Sequence, residues 1–226
     1  MNIEESFEFL NFWLNKKQGA WYTIPELTQL VDNGQISYYT DIKPKYATST
    51  LIKEILSPFR AIYPFTPSNT ISGVISVPSD SNYLDLLDCR ITYQISNRTM
   101  YHSVEMLNED VISFRLNSQV SPVTITSPVG EILAPRFFKL YPTNGYTGTI
   151  TYFRRPRKPV FGYSVISGRV IVYDPNTSVQ LEWRDTEIIP ILLKALSSVG
   201  INLSDQEISQ FAELKTQENY QNVNKL

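Results

Sequence analysis

The sequence predicts an α+β protein in which helices at both ends of the chain form one helical bundle and an antiparallel β module is inserted between them. Apolar residues recur at helical spacing through residues 1–60 and again through residues 181–226. In residues 61–180, prolines are frequent and β-branched or aromatic residues alternate with polar ones. The chain has 226 residues, 42% hydrophobic and 19% charged, a composition typical of a folded chain with a substantial core. We therefore assign 1–60 and 181–226 to the helical bundle and 61–180 to the β-rich module.

Three helices are predicted in the N-terminal region. The first spans about 4–14 and carries a strongly aromatic face. The second begins at a capping box, in which the Thr23 hydroxyl and the Glu26 carboxylate satisfy each other's backbone donors, and it ends before Pro44. The third spans about 48–56.

The middle region predicts short strands with one helical insertion. Residues 83–95 indicate a strand or a strand pair, and Asn108 is a suitable N-cap for a short helix that ends at 116. Asn-Gly at 144–145 and Ser-Gly at 167–168 are typical of tight hairpin turns between flanking strands.

The C-terminal region predicts two helices, and the first has an unusually wide apolar face. Eight apolar residues in 188–199 fall on an arc of roughly 200°, about twice that of an ordinary surface helix. Such a helix must be covered from two sides, either by its own chain or by a neighbouring subunit. The second helix begins at a capping box formed by Ser204 and Glu207. With the N-terminal aromatic residues, the wide face gives these candidate subunit-interface residues: Phe12, Trp13, Trp21, Tyr22, Ile188, Ile191, Leu192 and Leu196.

The densest charge run contains Arg154, Arg155, Arg157 and Lys158. It could contact DNA phosphates or an acidic protein surface, or it could be a solvated strand end. The formal net charge of −2 favours protein contact over DNA contact.

Residue types for catalysis are scarce. His102 is the only histidine and Cys89 the only cysteine, so a metal site rich in histidine and an internal disulfide are both excluded. The two could meet across strands, but we favour the simpler interpretation of a buried thiol and a surface histidine on adjacent elements. Asp85 and Asp88 could bind a cation, although aspartate also favours turns. We expect no enzyme activity, no cofactor, no bound metal and no membrane span, in a protein made in a reducing cytoplasm.

Three stretches carry a resemblance to a known family. They are residues 9–27, with Phe-Leu-Asn-Phe-Trp before Lys-Lys-Gln-Gly and Ile-Pro-Glu-Leu; residues 135–159, with Pro-Arg-Phe-Phe-Lys-Leu-Tyr-Pro before Ile-Thr-Tyr-Phe-Arg-Arg-Pro-Arg-Lys-Pro; and the helix pair in 181–212. In this ordering the chain resembles the ring-forming head–tail connector (adaptor) proteins of short-tailed bacteriophages, especially virion proteins of crAss-like phages. The β region of this chain is larger than that of the smaller adaptors.

The resemblance implies a structural virion protein. Members of the family form rings, commonly of twelve copies, between the portal protein and the tail. We therefore expect a non-enzymatic ring subunit that bridges portal and tail around the DNA channel, located in the virion after synthesis in the host cytoplasm. Its expected partners are further copies of itself, the portal protein, other tail proteins and, non-specifically, packaged DNA. Two alternatives stay open: a capsid-associated or decoration protein, and a hydrolytic enzyme that uses His102.

Overall fold

The chain forms two compact units in a computed structural model that describes residues 1–18, 22–66, 72–143, 146–166, 170–204, 207–208 and 211. The helical unit comprises Met1–Leu56 and Pro156–Leu226, and the β unit comprises Ser57–Arg155. The expected α+β class, with helices from both ends of the chain and an inserted β region, is confirmed. The predicted boundary at 180 is wrong, because residues 156–180 belong to the helical unit, where Phe161 stacks on Phe7 at 4.9 Å between ring centroids.

Five α-helices lie in the described residues: α1 (Ile3–Gln18), α2 (Ile24–Ile42), α3 (Thr50–Leu56), α4 (Glu109–Leu116) and α5 (Asp185–Ser198). Ten strands accompany them: β1 (Arg60–Phe65), β2 (Val74–Ser76), β3 (Tyr83–Ile95), β4 (Arg98–Ser103), β5 (Glu105–Met106), β6 (Val129–Ala134), β7 (Phe137–Tyr141), β8 (Thr147–Arg154), β9 (Tyr163–Ile166) and β10 (Val170–Tyr173).

Helices α1, α2 and α5 enclose the core of the helical unit, which takes apolar residues from all three. Helix α2 begins as its sequence predicts, since the Glu26 carboxylate accepts hydrogen bonds from both the backbone N–H and the hydroxyl of Thr23, each at 2.7 Å. Helices α2 and α5 approach closely at Gly34. A Cβ atom there would lie 2.7 Å from the Ile191 carbonyl oxygen and 2.9 Å from the Ala195 Cβ, so only glycine fits without movement.

The β unit contains two four-stranded sheets that share one apolar core. The strand orders are β1-β8-β3-β4 and β2-β7-β6-β5, and all pairs are antiparallel except the short β5–β6 pair. Phe138 of β7 and Ile150 of β8, from the two different sheets, belong to the same buried cluster.

The hairpin predicted around 144–145 does not form. The dipeptide itself lies outside the described residues, but its flanking strands β7 and β8 belong to different sheets. Strand β8 pairs instead with β1 and with the long strand β3, whose inward residues Cys89 and Ile91 continue the buried face. Pairing between distant strands therefore overrides the local turn preference.

Strands β9 and β10 pair as a hairpin, as the sequence predicts. They form a separate two-stranded sheet that belongs to the helical unit and not, as expected, to the β-rich module. Tyr163 pairs with Tyr173 at its base and Ile166 pairs with Val170 towards its tip. The turn residues 167–169 lie outside the described residues.

Candidate interaction surfaces

The residues predicted to form a helical subunit interface mostly lie in the core of their own chain. Trp13, Ile191, Leu192 and Leu196 are fully buried, and Ile188 is 2% exposed. Their side chains cannot meet a neighbouring subunit while the unit stays folded. The face is covered by its own chain, so the prediction of a subunit interface on it is wrong.

The physical reason is that α1 and α2 cover the wide face of α5 from two sides, and Gly34 allows the close approach. Phe12 and Tyr22 are half-buried against the same core, and the Phe12 ring lies 5.0 Å from the Trp13 ring. Trp21 lies outside the described residues.

A buried polar cluster links α2 to the chain segments around Arg157 and Trp183. The sequence interpretation missed this cluster. Gln35 is fully buried, and its side-chain amide donates to Asp32 Oδ1 at 2.8 Å and to the Arg157 carbonyl oxygen at 3.0 Å. Its amide oxygen accepts from Trp183 Nε1 at 3.2 Å. Gln35 thus uses both ends of its amide in the interior. The sequence does contain a signal for this cluster, because Gln35 lies on the same face of α2 as the apolar residues Leu27 and Val31.

The basic run spans the boundary between the two units and is held by local contacts. In the β unit, Arg154 donates to the Pro58 carbonyl oxygen at 3.2 Å, and its guanidinium lies 5.7 Å from the Phe59 ring centroid. In the helical unit, Arg157 Nε lies 3.5 Å from a Glu182 carboxylate oxygen, and Lys158 Nζ donates to Gln29 at 3.2 Å.

These contacts reduce the charge that the run presents to a partner. Arg155, Arg157 and Lys158 are exposed, but Glu182 offsets the charge of Arg157. The contacts of the basic run are consistent with two roles: holding the extended backbone in place, and binding an anion.

The hairpin β9–β10 exposes apolar residues on both of its faces. Side-chain direction alternates along a strand, so Val165 and Ile171 share one face while Ile166 and Val172 share the other. These four residues and Tyr163 are all between 39% and 55% exposed. None of the eight strand residues is charged. Sequence reasoning found this hairpin but did not identify it as a surface.

The base of the hairpin is firmly attached to the helical unit. Phe161, next to the first strand, stacks on Phe7 of α1 and packs on Tyr173 at 5.1 Å. The Gly162 backbone N–H donates to Ser178 Oγ at 2.9 Å, which ties the base to the following loop. The exposed strands therefore extend from a base that is packed against the rest of the helical unit.

The β unit has its own exposed apolar side chains. On α4 and the loop after it, Phe114 is 80% exposed and Val120 is 98% exposed, while Ile112 faces inward. Edge strand β4 adds Tyr101, which is 69% exposed. A shallow groove of about 340 Å³ lies nearby in the same unit, lined by Tyr93, Gln94, Ile95, Thr124, Ile125 and Thr126.

Cys89 and His102 do not form the reactive pair that would be needed for thiol catalysis. Burial, with a smaller contribution from the Asp88 carboxylate, raises the pKa of the Cys89 thiol to about 12, so the thiol is protonated at neutral pH. His102 instead stacks on Tyr93, and its Nε2 lies 3.1 Å from the Tyr93 hydroxyl oxygen. These contacts suit a packing role for both side chains.

The acidic residues considered for a cation are also engaged. Asp88 accepts from Arg90 Nε and from Ser103 Oγ, the latter at 3.1 Å. In the part of the chain that the structure describes, no three residues of the usual ligand types come together to hold a metal ion.

Comparison of the sequence with family models and with curated proteins finds no match. Within the described ranges, no helix is both long enough and apolar enough to cross a membrane.

Proposed function

We propose that this chain is a non-enzymatic structural subunit that assembles with other copies of itself into a ring in the head–tail connector of a short-tailed bacteriophage. The observation that carries the proposal is the hairpin β9–β10, whose strand residues are uncharged and expose large apolar side chains on both faces. The phage assignment rests on the sequence resemblance. The wide face of α5, buried by its own chain, gives the proposal no support.

A hairpin that no partner covers leaves apolar burial energy unused. Burying one Val or Ile side chain completely stabilises by about 1.5–3 kcal/mol. Five side chains that are each about half exposed thus leave on the order of 4–7 kcal/mol unrealised, which is comparable with the whole stability of a small domain. A two-stranded sheet is also marginal in water by itself. A protein partner that covers the hairpin would bury these side chains and stabilise the two-stranded sheet.

A ring follows from the kind of contact that such a feature makes. A projecting element that meets a different face or edge of the next copy is a heterologous contact, and heterologous contacts close into rings when the rotation permits. The proposed ring has twelve copies and lies between the portal protein and the tail. We assign contacts with further tail components to the exposed side chains of α4 and β4. The exposed basic residues Arg155, Arg157 and Lys158 would contact packaged DNA or an acidic partner in addition to their contacts within the chain.

The test is native mass spectrometry of the purified chain, alone and with the portal protein of its virion. Twelve chains of 25.9 kDa would give an assembly of about 311 kDa. We expect Ile171→Lys to abolish the assembly and Ser37→Lys, an equal charge change at an exposed position of α2, to leave it intact. A chain that stays monomeric with the portal present contradicts the proposal.

The same preparation separates the alternatives. Chemical cross-links to the portal protein support a connector, whereas cross-links to the major capsid protein support a decoration protein. If the chain instead has a hydrolytic activity that His102→Ala abolishes, the enzyme alternative is supported.

A further inference from the structure

We infer that, in the proposed ring, hairpins of neighbouring copies pair edge to edge, with β10 of one copy hydrogen-bonded antiparallel to β9 of the next. This inference rests on the proposed function and specifies the interface. Each copy would contribute two strands to one continuous sheet around the ring axis.

The first support is the absence of protection along the hairpin edges. Natural edge strands usually avoid intermolecular pairing with charged residues, prolines or bulges. The strands Tyr163–Ile166 and Val170–Tyr173 contain no charged residue and no proline, and their register is regular over all four pairs. In the described part of the chain, no third strand joins this sheet.

The second support is the direction of the backbone groups. The Asp174 N–H donates to the Gly162 carbonyl at 2.9 Å, which makes this a hydrogen-bonded pair. Hydrogen-bonded and non-hydrogen-bonded pairs alternate along an antiparallel ladder. The backbone groups of Tyr163 and Val165 therefore point to one outer edge, and those of Ile171 and Tyr173 point to the other.

The third support is that the two edges match. Copies related by rotation about an axis along the strands place β10 beside the next β9 in antiparallel directions. The outward groups then meet in phase, with Tyr173 opposite Tyr163 of the neighbouring copy and Ile171 opposite its Val165. Both pairs unite uncharged side chains, so neither pair desolvates a charge or opposes like charges. A sheet that closes on itself has no free edges.

Disulfide trapping between two singly substituted chains tests this register. Chains with Val165→Cys are mixed with differently tagged chains that carry Ile171→Cys, and the mixture is oxidised. Opposed residues in a hydrogen-bonded antiparallel pair have Cα atoms about 5.5 Å apart, which suits a disulfide. Separate chains are needed because residues 165 and 171 also face each other within one hairpin.

We expect the mixed dimer to form on the order of tenfold faster than in a control mixture that carries Val120→Cys in both chains, since pairing raises the local thiol concentration. Val120 is 98% exposed and lies in the β unit. The native Cys89 is buried, so it contributes little background. Thermal denaturation of each variant confirms that it is folded.

Two results would overturn the inference. One is mixed cross-linking no faster than the Val120→Cys control. The other is equally fast dimerisation of Val165→Cys alone, which would indicate two-fold pairing of β9 with β9. Native masses from the same samples separate the two proposals. Closed rings without the mixed cross-link contradict only the edge pairing. Monomers in all samples contradict the ring as well.

Discussion

Replacing Gln35 by leucine tests whether the buried polar cluster stabilises the helical unit. The substitution keeps a similar volume but removes the donor to Asp32 and to the Arg157 carbonyl, and the acceptor of Trp183 Nε1. A buried polar group left without its partner costs about 1–3 kcal/mol. Asp32 and Trp183 keep other interactions, and leucine gains apolar burial, so we expect a net loss of about 2–4 kcal/mol.

The assay is urea denaturation followed by tryptophan fluorescence, which Trp183 beside the cluster should report. We expect a lower midpoint with an unchanged slope, since the surface exposed on unfolding stays the same. The matched control is Gln29→Leu on the exposed face of the same helix, where only solvent-exposed hydrogen bonds, such as that from Lys158, are lost and we expect a loss of at most about 1 kcal/mol. A loss for Gln35→Leu no larger than that of the control would refute the reasoning.

A second substitution at this position adds a pH dependence with a defined sign. Gln35→Glu places a second carboxyl group beside the buried Asp32 carboxylate, so the pKa of the new group rises in the folded state. The folded protein then holds a proton that the unfolded chain releases. The destabilisation should therefore be small at acidic pH and grow as the pH rises, as measured by denaturation midpoints across a pH series.

Two further predictions concern a helix crossing and a capping box. Gly34→Ala should lower the melting temperature. Overpacking against the Ile191 carbonyl costs about 1–3 kcal/mol, which exceeds the helix-propensity gain of about 1 kcal/mol. A raised melting temperature would count against the close approach of α2 and α5. Hydrogen bonds from Lys17 and then from the Ser204 backbone lower the pKa of Glu207 from 4.5 to about 2. The stability that Glu207 contributes is thus present above about pH 4.5 and lost towards pH 2, so the unfolding free energies of wild type and Glu207→Gln should converge over that window and differ at pH 7.

Local interactions account for the features that sequence reasoning predicted well. The capping boxes at Thr23 and Ser204 both form, because each needs only a hydroxyl and a carboxylate three residues apart. The β9–β10 hairpin also forms, because its two strands are close neighbours in the chain. The ring, the portal contact and the DNA contact stay predictions.

The wrong expectations share a different cause, which is competition between distant partners. An Asn-Gly turn favours a hairpin at 144–145, yet β8 finds a better partner in β3, about 60 residues earlier in the chain. Likewise, the apolar excess of α5 is visible in sequence, but periodicity does not say what covers it.

Periodicity and hydrogen bonds within a few residues were enough to predict the α+β class, the positions of the helices, their caps and the hairpin at 163–173. Long-range packing determines that α1 and α2 bury α5, that Gln35 joins Trp183 across 148 residues, and that the hairpin keeps apolar side chains exposed. Those outcomes depend on which surfaces meet after the chain has closed long loops, and neighbouring residues do not encode that choice.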